Sequence, residues 1–323
     1  MKLVTYDTGD GIGRPGALVA DGTRIADLAM ASAGRIPSVL WIAEGGEDAL
    51  AQAQEAEAAA SGSALIARDE VRLMAPIQPP PQMRDCLCFE THLMQAFQQA
   101  RKLRAQQFPD PAAAEREMEE KGILSVPQTF YNQPIYYKAN RFSVVGHDHD
   151  VIWPRYSNFM DFELEFGVYI GKPAKDVAKE AARDHIFGYT IFNDFTARDA
   201  QTAEMGGSLG PAKGKDFDTA NPMGPCLVTA DEFGDPYDKM MICRVNGEEW
   251  GRGSTSTMHW SFEQLIEHIS ASETIHSGEF LGSGTVGNGC GLEHMRFLSP
   301  GDVVELEVDG IGILRNRIVK PDS

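Results

Sequence analysis

Residues 161–171, DFELEFGVYIG, constrain the fold of this chain more than any other segment. Because side chains alternate between the two faces of a strand, Asp161, Glu163 and Glu165 share one face and the apolar residues share the other. Carboxylates two residues apart on a strand lie about 7 Å apart or less and repel each other unless a cation lies between them. The segment predicts a strand packed on a core, whose acidic face is either solvated or binds a hard cation such as Mg²⁺ or Ca²⁺.

A second strand-like segment, GYTIFND, ends at Asp194 and is followed by FTARDAQ. Asp194, Arg198 and Gln201 are spaced by four and three residues, so they share one face if this stretch is helical. A carboxylate, an amide, and a guanidinium able to hold a carboxylate with two hydrogen bonds then point into one volume. A solvated surface does not require this combination, so the second segment favours a binding site.

The rest of the chain predicts an α+β protein rich in β structure. Four prolines between residues 76 and 81 break any helix and divide a small N-terminal α+β domain, residues 1–78, from a main domain, residues 79–323. Helix-forming residues predict helices over 48–60, 91–107 and 111–121. Beyond residue 133, short strand-like runs separated by Gly, Pro and Asp dominate, at 135–137, 162–170, 188–192, 240–245 and 303–308.

Composition and charge exclude several classes of partner. The 29 Lys and Arg against 47 Asp and Glu give a formal charge of −18, which repels nucleic acid and anionic membranes. No apolar run approaches the roughly 20 residues that span a bilayer, and the start, MKLVTYDTGDGIG, lacks the apolar centre of a signal peptide. We therefore expect a cytoplasmic protein. Its five scattered cysteines predict reduced thiols, and the isolated pair Cys86 and Cys88 favours buried strand positions over a metal site.

Four motifs in order, DFELEFGVYIG, GYTIFNDFTARDAQ, LGPAKGKDF and GTVGNGCGLE, resemble those of the fumarylacetoacetate hydrolase family. The resemblance covers most of residues 85–307. It implies a mixed β-sandwich roll as the catalytic domain, preceded by a smaller N-terminal domain, and a homodimer.

The resemblance also implies a divalent-cation site. Glu163, Glu165 and Asp194 correspond to ligands of Mg²⁺ or Ca²⁺, with Mn²⁺ as a further option, and Asp85 is a candidate fourth ligand. In the fumarylacetoacetate hydrolases themselves an aspartate stands seven residues before the catalytic histidine, as Asp85 stands before His92. This spacing favours the hydrolase branch over the shorter hydratases and decarboxylases.

The same resemblance implies the remaining roles. His92 corresponds to the general base that activates water, and Glu293 to the carboxylate that orients it. Lys215 resembles the lysine that stabilises charge developing on the substrate. Arg198 and Gln201 match the pair that binds the substrate.

Further positions depart from the family pattern or allow two interpretations. Gln95 stands where shorter members carry the glutamate that pairs with the histidine, and Glu90, two residues before His92, is the substitute. Lys138 either faces the pocket, as a lysine does in many members, or is a partly exposed strand residue. Leu87 replaces a tyrosine that hydrolases often carry, so the substrate is not implied.

Other motifs favour structural roles. His147 and His149 lie in a loop without a third ligand at a plausible spacing. His259 precedes a helix start, which explains it without catalysis. The glycines of residues 282–291 lack the GKS or GKT of a phosphate-binding loop.

Together these residues predict a metal-dependent hydrolase that cleaves a C–C bond in a small β-diketo acid of the fumarylacetoacetate or acylpyruvate type. His92 activates water, and the leaving group is an enolate stabilised by the cation. The alternatives are a 2-keto acid decarboxylase or hydratase on the same scaffold, and a catalytically silent protein that binds metal and keto acid.

Overall fold

The computed structural model describes residues 1–321 as an α+β fold rich in strands. The N-terminal elements are β1 (Lys2–Asp7), β2 (Arg14–Val19), β3 (Arg24–Asp27), α1 (Leu28–Ala31), α2 (Val39–Ala59), β4 (Leu65–Ala67) and β5 (Arg72–Met74). They are followed by β6 (Met83–Cys86), α3 (Glu90–Ala105), α4 (Pro111–Glu120), α5 (Gln128–Asn132), β7 (Tyr136–Lys138), β8 (Val144–Val145) and β9 (Asp150–Ile152).

The middle of the chain contains β10 (Met160–Asp161), β11 (Leu164–Ile170), α6 (Lys179–Ala182), β12 (Ile186–Asn193), β13 (Thr196–Ala197), α7 (Arg198–Met205), α8 (Ala212–Lys215) and β14 (Asn221–Thr229). The last elements are α9 (Ala230–Phe233), β15 (Met240–Val245), β16 (Glu248–Ser254), α10 (Phe262–Ser270), β17 (Phe280–Gly282), α11 (Gly291–His294), β18 (Val303–Val308) and β19 (Gly312–Val319).

A large, mostly antiparallel sheet forms the centre of the molecule, in the order β4-β3-β2-β1-β14-β12-β11-β17-β6-β7. A smaller sheet, β16-β15-β18-β19-β9, packs against one face of it. Leu164 and Phe166 of β11 belong to the core between the sheets, together with Leu306 of β18. Side chains of β11 that point the other way, such as Tyr169, pack with α2 on the opposite face of the sheet. Both faces of β11 are therefore buried.

The predicted strands at 240–245 and 303–308 are confirmed as β15 and β18, and the helices predicted over 91–107 and 111–121 correspond to α3 and α4. The strand predicted at 162–170 is shorter, because the chain leaves regular pairing between β10 and β11. There the N–H of Glu163 donates to the side chain of Asn193, and Glu163 forms an isolated bridge with Cys290.

The N-terminal strands extend the large sheet. Leu3 of β1 pairs with Leu227 of β14, so hydrogen bonds cross the predicted boundary between residues 78 and 79. The division into two folding units stays a prediction.

The described residues, 1–321, contain no helix with the length and apolar character needed to cross a bilayer. All five cysteines are buried and free; Cys86 lies in β6 as predicted, and Cys88 is buried just beyond the end of this strand.

Candidate active site

Neighbouring strands of the large sheet bring three carboxylates together. Glu165 lies in β11, Asp194 directly follows β12, and Asp85 lies in β6 opposite Gly282 of β17. One oxygen atom of each of these three carboxylates lies within 4.8 Å of the others. Three of the four predicted ligands therefore form one cluster, which we call the carboxylate cluster (Asp85, Glu165 and Asp194).

Glycines make room for the carboxylate cluster. A Cβ atom on Gly282 would lie 2.6 Å from Oδ1 of Asp85 and 3.3 Å from Oε2 of Glu165. The N–H of Gly284, whose φ is +75°, donates to the same two oxygens at 3.2 and 3.0 Å. The glycine-rich segment thus shapes an acidic site, a role that its sequence alone does not indicate.

Burial governs the charge of the cluster. It raises the pKa of Asp194 to about 7 and that of Asp85 to about 6. Burial and the charges of Asp85 and Asp194 hold the pKa of Glu165 well above its usual value. Since Glu165 is 0% exposed, the alternative of a solvated acidic face is wrong.

The cluster fits a divalent cation. It offers several hard oxygen donors, and a cation would relieve their mutual repulsion. Within residues 1–321, the buried Oδ1 atom of Asp194 accepts no hydrogen bond. Asp85, Glu165 and Asp194 are therefore the side chains that would hold the ion.

Lys215 connects the cluster to Glu163. Its Nζ atom lies 2.7 Å from Oε2 of Glu163 and 2.9 Å from Oγ1 of Thr196, and it also contacts Oδ2 of Asp194. Burial lowers the pKa of the ammonium, but the charges of Asp194 and Glu163 raise it more, so Lys215 stays charged.

Arg198 holds Glu163 from the other side. Its guanidinium nitrogens lie 2.8 Å from Oε1 of Glu163 and 2.7 Å from Oδ2 of Asp161. Burial raises the pKa of Glu163, but the charges of Lys215 and Arg198 outweigh it and hold this pKa below its usual value. Glu163 is therefore an ionised carboxylate paired with two protein cations, and its role as a metal ligand stays a prediction.

Of the three residues predicted to share one face of a helix, only two lie on a helix. Arg198 and Gln201 lie on α7, and their side chains are hydrogen-bonded at 3.0 Å. Asp194 lies before the helix, after the end of β12, because residues 196–197 form a short strand with β10. Arg198 therefore binds protein carboxylates, and Gln201 supports it.

His92 and Glu293 form a hydrogen-bonded pair beside the cluster. Nδ1 of His92, on α3, lies 3.0 Å from Oε1 of Glu293, on α11. The other oxygen of Glu293 accepts the N–H of Cys290 at 2.9 Å, which fixes the carboxylate. Glu163 forms an isolated β-bridge with Cys290, so His92 and Glu293 lie close to the carboxylate that Lys215 and Arg198 hold. A base oriented by a carboxylate can move protons.

Two predicted site residues lie elsewhere. Glu90 accepts a hydrogen bond from the hydroxyl of Tyr131 at 2.5 Å, so it belongs to a different contact from the His92 pair. Lys138 is exposed, because the alternation along β7 directs the preceding Tyr137 inward. The Tyr137 hydroxyl donates to Oδ2 of Asp194 at 2.7 Å, a contact that was not predicted from the sequence although this alternation indicates it.

The three other histidines discussed from the sequence have structural contacts. Nδ1 of His147 accepts the N–H of Arg315 at 3.2 Å. The His149 ring bonds the carbonyl of Asp150 at 2.8 Å. His259 packs against aromatic rings, including that of Phe130 at 5.0 Å.

Proteins of similar sequence match most of this chain. The family model described as fumarylacetoacetate (FAA) hydrolase C-terminal matches residues 110–319. Oxaloacetate tautomerase YisK of Bacillus subtilis is 33% identical over 260 residues, which are 80% of this chain and 76% of that protein. The mitochondrial oxaloacetate tautomerase fahd2 of Xenopus laevis is 30% identical over 321 residues, 99% of this chain and 90% of that protein.

Solved structures share the fold. A fumarylacetoacetate hydrolase from Exiguobacterium antarcticum superposes with a TM-score of 0.73 at 26% identity, covering 99% of this chain and 100% of that one. Maleylpyruvate hydrolase from Sphingobium sp. SYK-6, in complex with manganese (II) ion and pyruvate, gives 0.73 at 20% identity, with both chains fully covered at 100%. These similarities confirm the predicted β-rich roll. The chain belongs to the fumarylacetoacetate hydrolase family.

Proposed function

We propose that this protein is a divalent-cation-dependent enzyme that interconverts the enol and keto forms of a small 2-keto diacid of the oxaloacetate type. The observation that carries the proposal is the contact between His92 and Glu293 beside the carboxylate cluster. Relatives at 33% and 30% identity are named oxaloacetate tautomerases, which supports this substrate class.

The chemistry needs a cation site and one mobile proton. A divalent cation held by Asp85, Glu165 and Asp194 would stabilise negative charge on a substrate oxygen. In the enol-to-keto direction the enol oxygen loses a proton, and its carbon becomes the carbonyl carbon. The carbon at the other end of the C=C bond gains a proton, so the C=C bond is replaced by C=O. His92 would move the proton at carbon, with its ring oriented by the Glu293 carboxylate. No water or oxidant is consumed.

The contacts of Lys215 favour this chemistry over the C–C hydrolase predicted from the sequence. An ammonium has three N–H donors, and here they face Glu163, Asp194 and Thr196. Lys215 therefore organises protein oxygens in place of donating to a substrate oxyanion. Tautomerisation forms no tetrahedral oxyanion, whereas attack of water on a carbonyl does.

A β-diketo acid hydrolase is the second candidate because Asp85 joins the carboxylate cluster. The aspartate seven residues before the histidine is the feature that the family resemblance connects with the hydrolases. In that reaction His92 would deprotonate a water molecule, and C–C cleavage would give a carboxylic acid and a keto acid or a second carboxylic acid.

The test follows the loss of enol absorbance from oxaloacetate with Mg²⁺, Mn²⁺ or Ca²⁺, and in parallel the cleavage of acylpyruvates in ¹⁸O-labelled water. We expect rapid ketonisation that His92→Ala slows by roughly 10²-fold or more, the scale of a lost acid–base group. His147→Ala is the matched control and should leave the rate unchanged. Faster acylpyruvate cleavage, with label in the acid product, would assign the hydrolase. Binding of oxalate without turnover would assign the silent protein.

A further inference from the structure

A cluster of mixed donor atoms is connected to the carboxylate cluster, because Cys290 bridges to Glu163, which shares Lys215 with Asp194. One ligand atom from each of His92, Cys290 and Glu293 lies within 4.8 Å of the others. The proposed reaction uses His92 and Glu293, whereas it gives no role to the Cys290 thiol. We propose that these three residues bind Zn²⁺ and that the ion inhibits the enzyme by occupying its acid–base pair.

The donor chemistry separates the two clusters. A ring nitrogen, a sulfur and a carboxylate oxygen are the ligand types that zinc takes in tetrahedral sites. The carboxylate cluster offers oxygen alone, which suits the harder ions Mg²⁺ and Ca²⁺. A soft ion is therefore expected to select the mixed donors even when a hard ion is present in excess.

The geometry needs small adjustments only. Zinc bonds of about 2.0–2.3 Å place tetrahedral ligand atoms roughly 3.3–3.7 Å apart. Nδ1 of His92 and Oε1 of Glu293 are 3.0 Å apart, and the three ligand atoms lie within 4.8 Å of one another, so shifts of about 1 Å would bring them to these separations. His92 is 9% exposed and is the most accessible of the three residues.

The surroundings of Cys290 suit a bound thiolate. The N–H of Glu293 donates to the Cys290 sulfur, which would stabilise its negative charge. Oε2 of Glu293 accepts the N–H of Cys290, so Oε1 is the oxygen available to the ion. Binding converts the thiol and Zn²⁺ into a zinc thiolate and one proton, which passes to solvent. Burial raises the pKa of the thiol, so the ion must displace this proton against a cost.

The binding test uses the full chain in saturating Mg²⁺. Zn²⁺ affinity is measured by competition with a chromophoric chelator, and Co²⁺ reports the thiolate through a sulfur-to-cobalt charge-transfer band. Cys290→Ser should remove the band and weaken Zn²⁺ binding by roughly 100-fold or more. Loss of a residue that only hydrogen-bonds to a ligand usually costs about 10–100-fold, so a larger effect indicates a direct ligand. Cys243→Ser, at another buried thiol nearby, is the matched control and should change neither.

The inhibition test rests on the proposed role of His92, whereas the binding test does not. Micromolar Zn²⁺ should inhibit the wild type and the Cys243 variant, and Cys290→Ser should need roughly 100-fold more. Cys290→Ala is measured alongside, with circular dichroism, in case the serine variant fails to fold. Equal Zn²⁺ affinity in the Cys290 variants, or Zn²⁺ displaced by Mg²⁺, would overturn the proposal. If no keto acid is turned over, the binding test decides alone.

Discussion

Gly282→Ala is the substitution that most directly tests the carboxylate cluster. The new Cβ atom would lie 2.6 Å from Oδ1 of Asp85, 3.3 Å from Oε2 of Glu165 and 3.3 Å from a ring carbon of Phe192. The first contact is too short by about 0.5 Å or more, so the Asp85 carboxylate must move. Metal sites tolerate changes of only about 0.2 Å in ligand distances, so this movement should weaken cation binding.

The magnitude follows from two opposing effects on stability. Overpacking a core costs about 1–3 kcal/mol, while replacing glycine by alanine at a compatible backbone position stabilises by about 0.4–1 kcal/mol. The fold should therefore lose about 2.6 kcal/mol at most. Mn²⁺ affinity should fall by roughly 10–100-fold, the scale seen when the support of a ligand is disturbed.

Isothermal titration with Mn²⁺ and thermal unfolding of the metal-free protein separate these effects. Gly171→Ala is the matched control, because the nearest atoms to its Cβ would belong to Phe187, at 3.1 Å and beyond, and not to the carboxylates. Unchanged Mn²⁺ affinity in a folded Gly282→Ala protein would refute the assignment of the cluster as the cation site.

Three further predictions concern the charges around the cluster. Because burial raises the pKa of Asp194 to about 7 and that of Asp85 to about 6, protons compete with the cation; Mn²⁺ affinity should rise from pH 6 to pH 8, with proton release visible in titrations in two buffers. Lys215→Met leaves Glu163 buried without one of its cations, so the free energy of unfolding should fall by about 3–5 kcal/mol; chemical denaturation measures this, and an unchanged midpoint would contradict the pairing. Tyr137→Phe removes one hydrogen bond to Asp194, which should cost about 0.5–1.5 kcal/mol of cation binding while the fold survives; wild-type affinity would show that the hydroxyl is dispensable.

The sequence predicted the strands that carry the site better than the directions of individual side chains. Glu163 and Glu165 share a face in a regular strand, and the family resemblance implies that both are metal ligands. The chain leaves regular pairing before Leu164, and Glu163 pairs with Lys215, 52 residues away, so its role as a ligand stays a prediction. A contact over that distance depends on how α8 packs, and local periodicity carries no information about it.

Lys138 shows the same limitation on a shorter scale. Along a strand, a shift of one residue exchanges the buried and exposed faces. Of the two interpretations of Lys138, the structure agrees with the exposed strand residue, because β7 pairs with β6 so that the side chain of Tyr137 reaches Asp194. The spacing between Asp85 and His92 was more informative, because Asp85 does join the cluster.

The charge balance of the site gives a physical reason to expect that a bound cation stabilises the fold. The buried carboxylates that lie together are Asp85, Asp161, Glu163, Glu165 and Asp194. In the part of the chain that the structure describes, Lys215 and Arg198 are the side-chain cations paired with them. Excess buried negative charge must either take up protons or bind a cation.

At neutral pH the cation is the alternative that leaves the carboxylates ionised. An ion that binds only the folded state stabilises it by about 2.7 kcal/mol when its concentration is 100 times its dissociation constant. We therefore expect Mn²⁺ to raise the unfolding temperature of the wild type, and to raise that of Glu165→Gln much less. Equal increases in the two proteins would place the bound ion outside the carboxylate cluster.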